Sequence, residues 1–365
     1  MDPVDTPALV VDSGRLLSTV HPVETPALVV DPGRLRSNIE RCQRRLEAAG
    51  LQNRPHVKTH RCTQIALLQL RAGAAGITCQ KLSEAEVMAD AGIENILVPY
   101  NLIGPFKLAR LARLMERAQV AVSVDDVRLL DGLSSVADAT GQRVAVLVEC
   151  DVGYGRTGVG TPDAAARLAE AIENAGLKFA GLLGYPSPPT ARAFFEEAVS
   201  DIAALGLACE TRSLGGTTDL PQAAGLAPVV TEYRPGVYVF NDWNTVTAGA
   251  ASPDQCALSI AATVVSVANS GRVVLDAGSK ALSGELGTDG GYGHIVEAPH
   301  STIARLSEEH GEVALEAGDR LELGQVVTVI PNHACVVVNL FDTLLLVEHG
   351  KVVDEWPIDA RGKSL

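Results

Sequence analysis

No run of apolar residues in this chain approaches the ~18 needed for a membrane-spanning helix. The acidic start, "MDPVDTP", has none of the features of a secretory leader. Together these absences predict a cytoplasmic protein with no membrane partner. Basic runs are also missing, and the formal net charge of −14 argues against nucleic acid as a partner. No CxxC pair occurs. The seven cysteines, at 42, 62, 79, 150, 209, 256 and 335, are odd in number and scattered. That excludes a disulfide framework and a zinc-finger pattern, and predicts mostly small buried residues. No GxGxxG follows an early strand, which weighs against an open dinucleotide-binding sheet.

What is present is a large apolar fraction, 47% of 365 residues, enough for two domains. One repeat stands out: "VDTPALVVDSGRL" (4–16) returns as "VETPALVVDPGRL" (23–35) with two changes. Two copies do not make a solenoid, which needs about three. The second copy runs directly into the amphipathic "RSNIERCQRRLEAA" and is read as the structural one; residues 1–22 then form a partly duplicated tail.

From residue 54 short β-branched runs alternate with Ala/Leu/Glu/Arg-rich stretches. The runs lie at 54–58, 76–80, 95–100, 120–125, 144–151, 179–186, 210–216 and 229–236. Eight such units predict a parallel (β/α)8 TIM-type barrel over 36–250. After residue 255 the pattern changes to strand pairs joined by turn residues such as "NSG" and "HGK". The C-terminal region therefore reads as an all-β domain, formed by 23–35 together with 251–365.

In a barrel, chemistry gathers at the C-terminal ends of the strands. That end collects Lys58, Gln80, Tyr100, "DVGYGR" (151–156), Tyr185, "SLGGTTD" (213–219) and "YRPGVY" (233–238). A lysine there is either an ordinary solvated strand-end residue or an amine available for a Schiff base once its pKa is lowered. Glycine-containing loops after strands 7 and 8 are where barrels often hold a phosphate. Lysine and phosphate cradle together make pyridoxal 5'-phosphate the natural candidate.

The segments "PHVKTH", "CQKLSEAE", "DVGYGRTGV", "SLGGTTD", "TEYRPGVYVFND", "LDAGSKALS", "RLSEEHG" and "PNHACVVVNLFD", in this order over about residues 24–361, resemble the D-threonine aldolase and D-serine dehydratase-like family. These are alanine-racemase-like, fold type III pyridoxal phosphate enzymes. The resemblance implies a cofactor barrel, a C-terminal β domain, a homodimer with active sites near the subunit interface, and a divalent metal. It implies that Lys58 holds the cofactor, with His56 near the ring and Arg156 facing its pyridine side. Ser213, Gly215, Gly216 and Thr217 match the phosphate loop, with Tyr238 a further hydroxyl; Gln80 and Tyr185 line the cofactor site.

"PNHAC" reads as a β-like run, in which His333 and Cys335 share a face. Alone, the pattern is common by chance and reads by default as a buried cysteine beside a satisfied histidine. In the context of the family it implies ligands for zinc, manganese or magnesium. His310, with Glu309, is a candidate catalytic base or a support for the metal, or an ordinary loop residue. The substrate implied is a small-molecule D-β-hydroxy-α-amino acid. The favoured reaction is aldol cleavage to glycine and an aldehyde. Dehydration of the D-serine or D-3-hydroxyaspartate type, to keto acid and ammonia, is the alternative, and a non-catalytic cofactor-binding protein the third reading. The cysteine favours the dehydratase branch; "GYPS", "GGTTD" and "VVNLFD" favour the aldolase. Many relatives have a histidine after the strand 6 tyrosine, where this chain has Pro186.

Overall fold

The structure, a computed structural model, describes residues 23–365; the first copy of the repeat and the tail lie outside the described residues. Strand β1 (Ala27–Val30) leads into α1 (Pro32–Ala48). The helix begins there because Pro32 suits the first helical turn and the Asp31 carboxylate accepts from Arg34 N at 2.9 Å.

Strands and helices then alternate: β2 (Gln52–Asn53), α2 (Thr63–Arg71), β3 (Ile77–Thr78), α3 (Leu82–Asp90), β4 (Asn95–Val98), α4 (Pro105–Met115), β5 (Gln119–Val124) and α5 (Leu130–Thr140). There follow β6 (Ala145–Cys150), α6 (Pro162–Asn174), β7 (Lys178–Gly184), α7 (Pro189–Ala204), β8 (Thr211–Leu214), a 3-10 segment (Leu220–Leu226) in place of an α-helix, β9 (Glu232–Tyr233) and α8 (Trp243–Thr247). The eight strands β2–β9 form one parallel sheet in the order β2-β9-β8-β7-β6-β5-β4-β3. A bridge between His56 and Thr78, with Thr78 N donating to Pro55 O at 2.8 Å, joins its two ends. The sheet is therefore a closed barrel, as the alternation predicts.

Alternation along the strands divides the core. Ile96, Val98, Val122, Val146 and Leu182 join the large cluster shared with the helices, while Leu97, Leu147 and Leu183 form a separate apolar plug. One strand departs from its sequence reading. The ladder of "RPHVK" ends at Asn53, and Lys58 sits in a 3-10 turn over Val57–Thr59. Arg54 N and His56 N still donate to Tyr233 O and Pro235 O at 2.9 Å, but the chain turns at Val57, so Lys58 and His56 do not share a strand face.

The second sheet contains β10 (Leu258–Asn269), β11 (Arg272–Leu275), β12 (His294–Ile295), β13 (Thr302–Leu306), β14 (Gly311–Ala314), β15 (Val326–Ile330), β16 (Thr343–Glu348) and β17 (Lys351–Pro357), with α9 (Ser279–Leu282) between β11 and β12. Its path is β13-β14-β11-β10-β1-β16-β17, with β15 pairing to β10 and β12. Here β1 lies between β10, antiparallel, and β16, parallel. The region is not purely β, and "PNHAC" is not a strand. Ala334–Val338 form a short helix, α10, with His333 as the extended residue before it. Asp242, on the barrel side, accepts from Ala334 N at 3.0 Å and so supplies the helix start.

Candidate active site

Strand register and two short helical turns bring the candidate residues to one end of the barrel. Lys58 is exposed on the 3-10 turn after β2. Among the described residues no carboxylate lies within ion-pair distance of it. Half-buried His56 sits beneath, its Nε2 3.0 Å from Gln80 Oε1. The Gln80 amide nitrogen points to Pro99 O at 3.4 Å, so the amide oxygen is the acceptor and His56 Nε2 carries the proton. His56 Nδ1 is buried and has no hydrogen-bond partner. Burial, then the charges of Lys58 and Arg234, hold the His56 pKa well below its ordinary value. The imidazole is therefore neutral with one free acceptor. Gln80 N donates to buried Glu84 at 2.6 Å, and Arg61 lies 3.4 Å from the other carboxylate oxygen. Burial pushes the Glu84 carboxyl up to about 7.

Beside Lys58 stand the loops after β8 and β9, because β9 adjoins β2 in the barrel and β8 adjoins β9. Thr217 Oγ1 accepts from Gly236 N and Tyr238 N, both at 3.2 Å, so its own O–H is left to donate. Gly215 lies against the Arg234 main chain, where a Cβ would come within 2.5 Å of its nitrogen. A Cβ at Gly236 would meet Thr59 Oγ1 at 2.9 Å and His56 Cβ at 3.3 Å. Close approach of the β9 loop to the Lys58 turn thus requires glycine.

Some predicted residues occupy other positions. Ser213 is buried and donates to Glu232 at 2.6 Å, so its hydroxyl belongs to an internal network. Tyr238 is buried too, its hydroxyl accepting from Gln69 of α2 at 2.9 Å. Arg156 is exposed, its guanidinium 5.4 Å from the ring centres of both Tyr154 and Tyr185. A second arginine, Arg234, is buried at the mouth, where it donates to Ser213 Oγ at 2.5 Å and to Gly184 O at 2.7 Å. Its signal was available in "EYRPG", since it directly follows β9. His310 does not join the cluster. It lies exposed in the β13–β14 turn at the sheet edge, next to Glu308 and Glu309, which pair with Lys280 at 3.0 and 2.7 Å.

The His333–Cys335 pair does join it. Cys335 Sγ is 3.3 Å from Thr59 Oγ1 across 276 residues of sequence, placing α10 against the Lys58 turn. Six of the seven cysteines are buried; Cys335 is the partly exposed one. His333 Nδ1 is 2.6 Å from Glu285 Oε2. The hydrogen bond to Cys335, reinforced by the Glu285 carboxylate, draws the His333 pKa up to about 9 despite burial. Asn332 Nδ2 donates to Glu285 O at 2.9 Å and holds that loop in place. Glu285 carries no local sequence signal. Tyr185, its pKa raised first by burial, also feels the Cys335 thiol.

Both implied groups fit these residues. The exposed Lys58 amine, the free His56 Nδ1, the Thr217 hydroxyl and the glycine-dependent loops suit a pyridoxal phosphate. For a divalent cation, the spot between Glu285, His333 and Cys335 already favours positive charge. A carboxylate on Nδ1 would leave Nε2 as the nitrogen available to a metal. Among the described residues no cluster of three or more His, Cys, Asp or Glu side chains forms a closed metal site. The pair is thus an open, two-donor arrangement. No helix among them is long and apolar enough to cross a membrane.

Comparison with known proteins gives matches over both parts of the chain. Residues 30–242 match the family described as alanine racemase, N-terminal domain, and residues 257–347 the putative serine dehydratase domain. A D-threonine aldolase from Arthrobacter sp. is 37% identical over 336 residues, 85% of this chain and 86% of that protein. The crystal structure of D-threonine aldolase from Filomicrobium marinum superposes with a TM-score of 0.84 at 33% identity, covering 94% of this chain and 97% of that one. D-threo-3-hydroxyaspartate dehydratase from Delftia sp. also gives 0.84, at 30% identity, covering 93% and 99%. That dehydratase has been solved as a Cys→Ala variant in the metal-free form and as a His→Ala variant two positions earlier in its chain.

Proposed function

We propose that this chain, which belongs to the D-threonine aldolase and D-serine dehydratase-like family of alanine-racemase-like, pyridoxal phosphate-dependent enzymes, is a lyase of D-β-hydroxy-α-amino acids acting as a D-threonine-type aldolase. The observation that supports this reading is the 3.3 Å contact between Cys335 Sγ and Thr59 Oγ1, which brings His333 and Cys335 to the turn that carries Lys58.

In this reading Lys58 holds the cofactor, Thr217 and the main chain of Gly215, Gly216 and Gly236 hold its phosphate, and neutral His56 packs against its ring. Arg234 fixes the ends of β7 and β8 around it through Gly184 O and Ser213. When bound, pyridoxal phosphate withdraws electrons from the substrate's Cα, and a divalent cation on His333 and Cys335 acidifies or polarises the β-hydroxyl. Glu285 orients the His333 ring. Tyr185, kept protonated, offers a hydrogen-bond donor on the Cys335 side of the mouth. The Lys58 amine lies where it can take or return a proton at Cα. If the β-hydroxyl loses its proton, the Cα–Cβ bond breaks and glycine and an aldehyde leave. If Cα loses its proton, the hydroxyl leaves, giving a keto acid and ammonia.

One observation favours the dehydratase as the second reading. His333 and Cys335 stand two apart in the same residue order as the pair altered in the Delftia sp. dehydratase. Product analysis of D-threonine with the purified, cofactor-loaded protein and each of Zn²⁺, Mn²⁺ and Mg²⁺ decides between them, with Lys58→Ala as control. Acetaldehyde with glycine is expected. Ammonia with 2-oxobutanoate overturns the aldolase in favour of the dehydratase, and neither product with any metal overturns both for this substrate.

A further inference from the structure

We propose a second binding site, for a small organic phosphate, in the cleft between α1 and the loops that follow β8 and β9. The cleft has a volume of about 460 Å³, within the range of small-molecule pockets. Arg41 and Arg45 stand one helical turn apart on its α1 wall. Thr217, Leu220 and Pro221 form a second wall, and the 249–252 turn closes a third side. Lys58, His333 and Cys335 do not line it.

The charges in this cleft lack anions. Among the described residues neither Arg41 nor Arg45 has a carboxylate within ion-pair distance, whereas Arg44 on the same helix pairs with Glu40 at 3.3 Å. Arg41 donates to Asn38 Oδ1, and Asn38 Nδ2 is anchored on Val239 O at 3.1 Å and Gln255 O at 2.8 Å. The half-buried Arg41 guanidinium is thereby held in place with part of its donor fork unused. Two like charges four residues apart on a helix repel each other. Partial burial and this repulsion both lower the Arg41 pKa. In a chain with a net charge of −14, an uncompensated arginine pair facing a cavity is a place for an anion.

A phosphate dianion suits it because its oxygens accept from two guanidinium forks at once. Leu220, Pro221 and Ala250 offer an apolar floor for the carbon part of an ester. Thr217 and Tyr238 also border the proposed cofactor phosphate loop, so the two sites share a wall.

The test uses protein already saturated with pyridoxal phosphate, so that the cofactor's own phosphate position is filled. Phenyl phosphate is titrated calorimetrically at low and high salt, beside benzoate. One saturable phenyl phosphate site per chain is expected, weakened by salt, with benzoate at least about tenfold weaker. Arg41→Gln/Arg45→Gln should weaken it at least about tenfold, about 1.4 kcal/mol. Arg45→Glu, at an exposed position, should do so without risk to folding. Absence of saturable binding by the parent protein, or unchanged affinity in Arg45→Glu, overturns the proposal. So does loss of cofactor from the arginine variants, which would make the cleft part of the cofactor site, and so does benzoate binding as tightly as phenyl phosphate.

Discussion

Two adjacent glycines that look equivalent in sequence differ sharply in their surroundings, and alanine at each should separate them. A Cβ on Gly215 would lie 2.5 Å from Arg234 N, 2.8 Å from its O and 2.9 Å from its carbonyl carbon. All three are main-chain atoms, and Arg234 N is itself fixed to Leu214 O at 2.8 Å. Neither partner has a flexible end that could swing aside, so the tips of β8 and β9 must move apart. Overpacking of this kind costs about 1–3 kcal/mol. A Cβ on Gly216 would meet only Asp219 Oδ2 at 3.4 Å and a Tyr185 ring carbon at 3.5 Å, ordinary contact distances. That change should stay within about 0.5 kcal/mol. Urea unfolding of the two variants measures the stability difference, and titration of the apo forms with pyridoxal phosphate measures its effect on the loop. If the whole strain falls on the cofactor-binding geometry, the Gly215→Ala Kd rises roughly 5- to 150-fold, while that of Gly216→Ala stays within about twofold. A Gly215→Ala protein with parental stability and affinity, or equal damage from both changes, would refute the reasoning.

Glu285→Gln keeps the shape but removes the carboxylate from His333 Nδ1; metal affinity, read by competition with a chromogenic chelator, should fall about 10- to 100-fold with the fold unchanged. Thr59→Val removes the hydroxyl that meets Cys335 Sγ, and should shift the visible absorbance of the cobalt-substituted protein, whereas Thr59→Ser should not. Glu84 has a folded pKa raised from 4.5 to about 7, so the native state binds more protons than the unfolded state between these values. Stability from this group is present at low pH and lost as pH rises through about 7. Glu84→Gln should therefore gain stability relative to the parent between pH 5 and pH 8; a constant difference in urea midpoint would contradict this. His60 runs the other way: burial depresses it from 6.5 to about 4, so the stability it confers is present above 6.5 and lost as pH falls toward 4. His60→Asn should narrow that acid-side loss.

The main architecture was legible in the sequence because each part has a local cause. Alternating β-branched runs and helical stretches specify eight βα units, and each run coincides with one barrel strand or lies beside it. The turn residues of "HGK" fix the β16–β17 hairpin, where His349 and Gly350 both have positive φ. Lys58 at the C-terminal end of its strand, and two metal-type donors two residues apart, were also visible as patterns. The family motifs then attached chemistry to them.

Tertiary structure decided what depends on contacts between distant segments. The "ACVVV" run favours a strand by propensity, yet it is helical because Asp242, 92 residues earlier, accepts from Ala334 N. His310 sits in a motif as distinctive as the others, but its hairpin lies at the sheet edge, where it accepts from Ser279 N and Lys280 N. Arg234 was not singled out in the sequence; only the fold buries it between Ser213 and Gly184, while Arg156 stands exposed beside Tyr154 and Tyr185. Glu285 had no pattern at all. By itself the sequence determined the period of its elements, and so the barrel, the sheet and the end at which chemistry gathers. Which side chains meet there was decided by packing, because a contact spanning 276 residues, such as Cys335 to Thr59, leaves no trace in local periodicity.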